Sequence, residues 1–341
     1  MFQMNLIKNL KTSYEIVLSN DKKLLCHLMG GKTVIFDTKT WEKVIELKKP
    51  NNPSHLHFSQ NDEMLYIKNT VGTFCVYNTK DFQLIKTIKS GKSFQIVEGN
   101  FALLDNPFTI LDVLKINDKK QVCTLNIETG IYQVLTELEG SHIEFNQFVP
   151  NDNSYLFTLY YLKEINGDHY SRQKLVKVKN PLTEPSYSFV SSLELQNWDL
   201  VYFEPVHQVY IFVHKDYELT IMDANLKNIL RKEHLLDKGI KKFKKKFASE
   251  IEDDLYELQK ILDENENEYF VHIAASYDGN YIVLTSSDRV YILGFEDLAP
   301  IHIEELEYAC FAEFSKDDTY FLVGTWTKGF VFENNLKGVK L

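Results

Sequence analysis

The segment His55-Leu56-His57-Phe58 sets two imidazoles two residues apart, a spacing that points both to one side of an extended strand. Glu15, His272 and Glu313 take the same side of their own strands once the chain is laid out in the repeat described below. Imidazoles and carboxylates gathered in one space can hold a divalent metal or form a catalytic site. The plainer alternative is that each histidine only satisfies a hydrogen bond within the fold. Nothing in the spacing fixes these groups within bonding distance, and the sequence favours the plainer alternative.

The familiar signatures of chemistry are absent. There is no G-x-G-x-x-G, no G-x-x-x-x-G-K-[ST], no G-x-S-x-G and no H-E-x-x-H. A non-enzyme without a cofactor is expected. Cys26, Cys75, Cys123 and Cys310 are far apart and form no C-x-x-C pair, which reads as free thiols in a reducing compartment rather than a zinc or disulfide framework. Trp41, Trp198 and Trp326 are expected to pack within the fold.

Composition narrows the classes further. With 44% hydrophobic and 25% charged residues, the chain has the balance of a folded globular protein. Its net charge of −10 gives it no general electrostatic attraction to nucleic acid or anionic membranes. The N-terminal stretch lacks the apolar core of a signal peptide, and no apolar run reaches the ~18 residues that a membrane helix needs. A cytoplasmic location is expected.

The elements that would position the histidines are short strands written in a repeated phrase. "FSQNDEMLYI", "FVPNDNSYLF", "FEPVHQVYIF" and "FSKDDTYFLV" each give an aromatic residue, a polar turn and an apolar run, as two strands joined by a tight connection do. "LSNDKKLLCH" and "ASYDGNYIVL" fit the same frame. Anchored at Ser19, Ser59, Val149, Glu204, Ser276 and Ser315, the phrases follow a period of about 40 residues, with insertions. One further unit is hidden between Ser59 and Val149, where "SFQIVEGNFALLD" and "QVCTLNIETGIYQVL" supply its worn strands. That makes seven units.

A second phrase, an apolar residue and then an acid or amide, recurs in six of the seven units, and the fourth lacks a clear one. The pairs are Phe36-Asp37, Tyr77-Asn78, Ile127-Glu128, Met222-Asp223, Phe295-Glu296 and Phe332-Glu333. Four-strand units of this length with an aromatic–acid pair ending the third strand resemble the WD-repeat β-propellers. The resemblance spans nearly the whole chain, but no unit carries the Trp-Asp pair itself, and "GSH" at Gly140–His142 is the nearest approach to a Gly-His dipeptide. The family's Asp–His–Ser–Trp network is therefore not carried over. The resemblance implies an all-β, seven-bladed β-propeller forming a single domain over 1–341. It also implies that an N-terminal strand at about 3–10 closes the last blade.

One stretch departs from the strand pattern. From Ile240 the apolar residues Ile240, Phe243, Phe247, Ile251, Leu255, Leu258 and Leu262 form one helical stripe. A long helical insertion at about 237–268, between blades 5 and 6, is expected. Its lysines open the helix and its acids close it, against the macrodipole, so local stability did not select the order. The stripe either packs on the propeller or meets a partner. In the second case the contact residues are Lys241, Lys242, Phe243, Lys244, Lys245, Lys246, Phe247, Ile251, Leu255 and Leu258. "YYLKEINGDHYSRQKL" in the fourth unit is expected to lengthen a loop that the resemblance places on the same face as the insertion.

The functional expectation is a non-catalytic scaffold or adaptor, a monomer binding a protein partner through that face. The alternatives are a propeller enzyme or a small-ligand or metal binder using the central channel, and an inhibitor or immunity-type protein whose acidic surface masks a basic target.

Overall fold

Each repeated phrase forms the turn between the first and second strands of an antiparallel sheet. The computed structural model describes residues 4–11, 14–106, 108–136, 142–165, 168–183, 189–195, 200–214, 217–235 and 270–336. Among these residues the strands form seven sheets, spanning 16–47, 53–89, 95–136, 142–195, 200–234, 270–305 and 309–333. Six are four-stranded. In the third, the first strand is broken into Gln95–Ile96 and Ala102–Leu103, and both pieces pair with Thr109–Ile116. The seventh takes its fourth strand from Asn5–Leu10, which pairs antiparallel with Gly329–Glu333. The only helical element among the described residues is a short 3-10 turn at Pro150–Asp152, and none of their helices is long and apolar enough to cross a membrane. The helix expected at about 237–268 lies outside the described residues.

The chain divides into two compact units. One is Glu15–Asn197, holding the first four blades, and the other is Met1–Tyr14 with Trp198–Leu341, holding the last three. In each unit the core lies where successive blades face one another. Phe74 of the second blade meets Phe101 of the third edge-on at 4.8 Å, both without exposed surface. Tyr217 of the fifth blade meets Phe270 of the sixth at 5.4 Å, and Phe270 meets Tyr291 at 5.8 Å. Full burial of side chains of this size contributes about 1.5–3 kcal/mol each.

The polar turn recurs because its side chains build it. Ser19, Ser59, Ser276 and Ser315 each donate from Oγ to an acid or amide two residues on, at 2.7–2.9 Å. Each Oγ also accepts the backbone N–H five residues on, at 2.9–3.0 Å. Three residues after these serines, Lys22, Asp62, Gly279 and Asp318 all take positive φ. Lys22, Asp62 and Asp318 tolerate it, but Gly279 is required: a Cβ there would lie 2.9 Å from both Val206 and His207 of the fifth blade.

Two of these turns also latch blades together. The Asp62 carboxylate accepts the backbone N–H groups of Asn20 and Asp21, at 2.8 and 2.7 Å, from the turn of the preceding blade. Asp318 does the same for Tyr277 and Asp278, both at 2.8 Å. Hydrogen bonds to a charged group are the stronger kind. Asp318→Ala removes two of them and puts a Cβ-bearing, unbonded residue at positive φ. A loss of about 2–4 kcal/mol is expected in chemical denaturation, with Asp318→Asn, which tolerates that φ and keeps one acceptor, falling between Ala and the native chain.

Three sequence readings are corrected. In the fourth blade, Ser154–Ile165 and Asp168–Lys179 pair without interruption out to Ile165 and Asp168. The expected loop is instead an extended two-stranded hairpin, because the ladder keeps satisfying backbone groups beyond the blade. In the third blade the amide ending the third strand is Asn126, not Glu128; Asn126 Oδ1 accepts Thr129 N–H at 2.9 Å, the bond Asp37 makes to Thr40 at 2.8 Å. In the sixth blade the matching position is Gly294, whose carbonyl accepts Leu298 N–H as Asp37's accepts Trp41 N–H, so Phe295-Glu296 lies past the strand end.

Candidate functional site

The histidine–carboxylate set resolves into separate pairs. In the first unit, Glu15 stands just before the first strand of the first blade, and His55 lies on the first strand of the second, Pro53–Phe58. His55 donates from Nδ1 to Glu15 Oε2 at 2.9 Å, while Glu15 Oε1 accepts Leu56 N–H at 3.0 Å. His57 donates from Nε2 to Asn100 Oδ1 at 2.8 Å and sets its ring edge-on to Phe101. Behind His55, opposite it in the ladder, Lys68 is fully buried against Asp112 of the third blade, at 2.7 and 2.9 Å.

In the second unit, His272 Nε2 lies 3.7 Å from Glu313 Oε1, and its ring stands 5.3 Å from that of Phe311. Tyr202, on the first strand of the fifth blade, belongs to the same surroundings. Burial pushes its phenol well above the usual range, and the nearby charges of Glu313 and Tyr277 add to that. Sequence reasoning missed Tyr202 because it looked for imidazoles and carboxylates. The signal was its place two residues before an anchor, the place of His57 and Glu313.

These groups hold one another. Glu15 is brought to His55, His272 to Glu313, and His57 to an amide. Among the described residues, no three of His, Cys, Asp and Glu are grouped to hold a metal ion. The four cysteines are free thiols. Burial lifts Cys26 well above the usual thiol range, Cys123 to about 12 and Cys310 to about 11, so none is a ready nucleophile.

In each unit by itself, the other feature with functional character is exposed side chains where blades join. In an antiparallel blade the second-to-third turn and the crossover to the next blade lie at the same end. In the sixth blade this is direct: Phe270 is opposite Ser286, and Arg289 is opposite Glu305. From there Tyr308 N–H donates to the Ser287 carbonyl at 2.5 Å, and Trp326 N–H to the Tyr308 carbonyl at 3.3 Å. Tyr308 and Trp326 stack with ring centroids 6.3 Å apart and 25° between planes. They are 56% and 71% exposed, which corrects the expectation that Trp326 packs inside. In the first unit, the extended hairpin of the fourth blade leaves Leu162 65% exposed beyond its second-to-third connection. The contact residues expected on the insertion, Lys241 to Leu258, lie outside the described residues; Phe270, where the described chain resumes, begins at this same end of the sixth blade.

No family model matches the chain, and no curated protein matches it. Solved structures do. The β-propeller domain of Cps50 (Swd1) from Myceliophteria thermophila matches with a TM-score of 0.64 at 10% identity, covering 97% of this chain and 99% of that one. The likeness extends to 1484 solved chains, so it fixes the architecture and singles out no activity. Seven sheets of this topology and a likeness along nearly the full length make the chain a seven-bladed β-propeller.

Proposed function

We propose that this protein is a non-catalytic interaction scaffold that binds a protein partner at the crossover end of its sixth and seventh blades. The Trp326–Tyr308 stack carries the reading. Large aromatics supply much of the binding energy of protein interfaces, and burying one of this exposure in a monomer's surface is otherwise forgone. Their backbones are fixed by hydrogen bonds to neighbouring turns, so little ordering remains to be done on binding. Glu304, Glu305 and Glu307 lie within four residues of Tyr308 and Lys328 lies two after Trp326, so the stack stands among charges of both signs that can orient a partner around an apolar contact.

The finer part of the proposal is that segment 237–268 forms a helix and docks the same partner. It leaves the fifth blade and returns at Phe270, beside the end that carries Ser287 and Tyr308. Its apolar stripe, with Phe243, Phe247, Ile251, Leu255 and Leu258, then adds contact area, and Lys241, Lys242 and Lys244–Lys246 add charge. The free thiols fit a cytoplasmic setting.

Deletion of Lys238–Asn267 with a short Gly-Ser bridge tests this part. The expected result is an unchanged thermal transition with partner affinity reduced at least about tenfold. An unfolded deletion shows the stretch to be packing, and a folded deletion with native affinity removes it from the interface.

A further inference from the structure

The second blade carries a cavity that the partner reading does not use. It has a volume of about 820 Å³ and lies at the crossover end of that blade. Its wall comes from the crossover Lys48–Asn51, the turn at Val71 and Gly72, and the paired third and fourth strands, Thr73–Asn78 and Leu84–Lys89. The register explains its chemistry. Thr73 lies opposite Lys89 and Cys75 opposite Thr87, so one face of this strand pair offers two hydroxyls, a thiol and an ammonium group. The crossover brings Lys48 and Lys49 to the same space.

Three lysines and no carboxylate line the cavity, in a chain of net charge −10. Elsewhere lysines hold acids closely, as Lys32 holds Glu46 and Lys115 holds Asp118. Among the described residues, Lys48, Lys49 and Lys89 have no carboxylate within 4.0 Å. Their charges reach the floor: burial raises the Cys75 thiol, and the Thr87 hydrogen bond and the charges of Lys49 and Lys89 oppose that rise. Three ammonium groups on one cavity wall with no carboxylate beside them favour an anion there.

We infer that this cavity binds a small polyanion built from linked phosphoryl groups. The volume is that of a small-molecule site. Ammonium groups and hydroxyls suit tetrahedral phosphate oxygens, whereas the planar fork that arginine offers a carboxylate is missing from the wall. No aromatic ring lines the cavity to receive a base, so the phosphoryl chain, not a nucleoside, is the recognised part.

The test is calorimetric titration of the full chain with tripolyphosphate, ATP without metal, and citrate. The expected result is saturable tripolyphosphate binding that weakens with salt, with ATP no tighter and citrate weaker. Lys49→Gln with Lys89→Gln should lower affinity at least about tenfold. Lys80→Gln, an exposed residue at the other end of the blade, should leave it unchanged. Both lysines of the double variant are exposed, so folding is retained and is checked by its thermal transition. Absence of tripolyphosphate binding, equal binding by the double variant, or citrate binding as tightly as tripolyphosphate overturns the assignment. ATP binding well above tripolyphosphate overturns recognition of the phosphoryl chain alone.

Discussion

Asp112→Ala is expected to lower the stability of the protein by about 3–5 kcal/mol, because it leaves the Lys68 ammonium buried without its counter-charge. Neither side chain has exposed surface, and Asp112 Oδ1 also accepts Val113 N–H at 2.8 Å. Burial raises Asp112 and lowers Lys68, and each partner's charge opposes the other's shift. The pair therefore fixes how the second and third blades meet more than it adds net stability. Replacing both, with Lys68→Met and Asp112→Leu, should return stability to within about 1–2 kcal/mol of the native chain. Lys68→Met alone adds a pH signature. With the lysine gone, Asp112 has a folded pKa further above its unfolded value. The folded state then takes up the proton first, so this variant gains stability as pH falls from 7 towards the unfolded value near ~4. Denaturant titrations of the four proteins at pH 7 and pH 5 check both statements. A double variant as unstable as the singles would show that the site needs its charges.

Much of the fold was legible because it is written locally. The serine of "FSQND" and "FSKDD" bonds within six residues of itself, so the phrase recurs wherever the turn does. What the same turn does at a distance was not legible. Asp62 reads as turn chemistry, yet its carboxylate serves Asn20 and Asp21 about 40 residues earlier, and nothing local to either turn shows that. Strand ends were equally ambiguous. Asn126 and Glu128 both satisfy an apolar–polar pattern, and only the ladder selects Asn126. The fourth blade's extension was read as a loop because its alternation is imperfect and it contains Asn166-Gly167, whereas continued ladder pairing to Ile165 and Asp168 decides its conformation.

The site was half legible for a related reason. Repeat register put Glu15, His55, His272 and Glu313 on one side of their strands without pairing any of them; the pairs Glu15–His55 and His272–Glu313 come from the structure. Register could not show that these contacts use up the groups in pairs, nor that His57 turns to Asn100. Trp326 was misread because apolar character alone does not distinguish a buried ring from one held outward by its backbone.

The second large effect concerns that ring. Trp326→Ala removes a side chain that is mostly exposed, so stability should stay within about 0.5 kcal/mol of the native chain. Binding is expected to behave differently, since a central aromatic anchor contributes about 2 kcal/mol or more, roughly 30-fold in affinity. Tyr308→Ala should produce a smaller loss, and the two losses should not add, because the rings support each other across 6.3 Å.

The most direct measurement is the affinity of the native chain and of Trp326→Ala for a partner first identified by cross-linking in cells and then purified. The account predicts that the pure partner binds the native propeller with a defined stoichiometry and loses at least about 30-fold in affinity to a variant that melts at the native temperature. Equal affinity for both proteins would contradict it and move the interface away from the crossover end of the sixth and seventh blades.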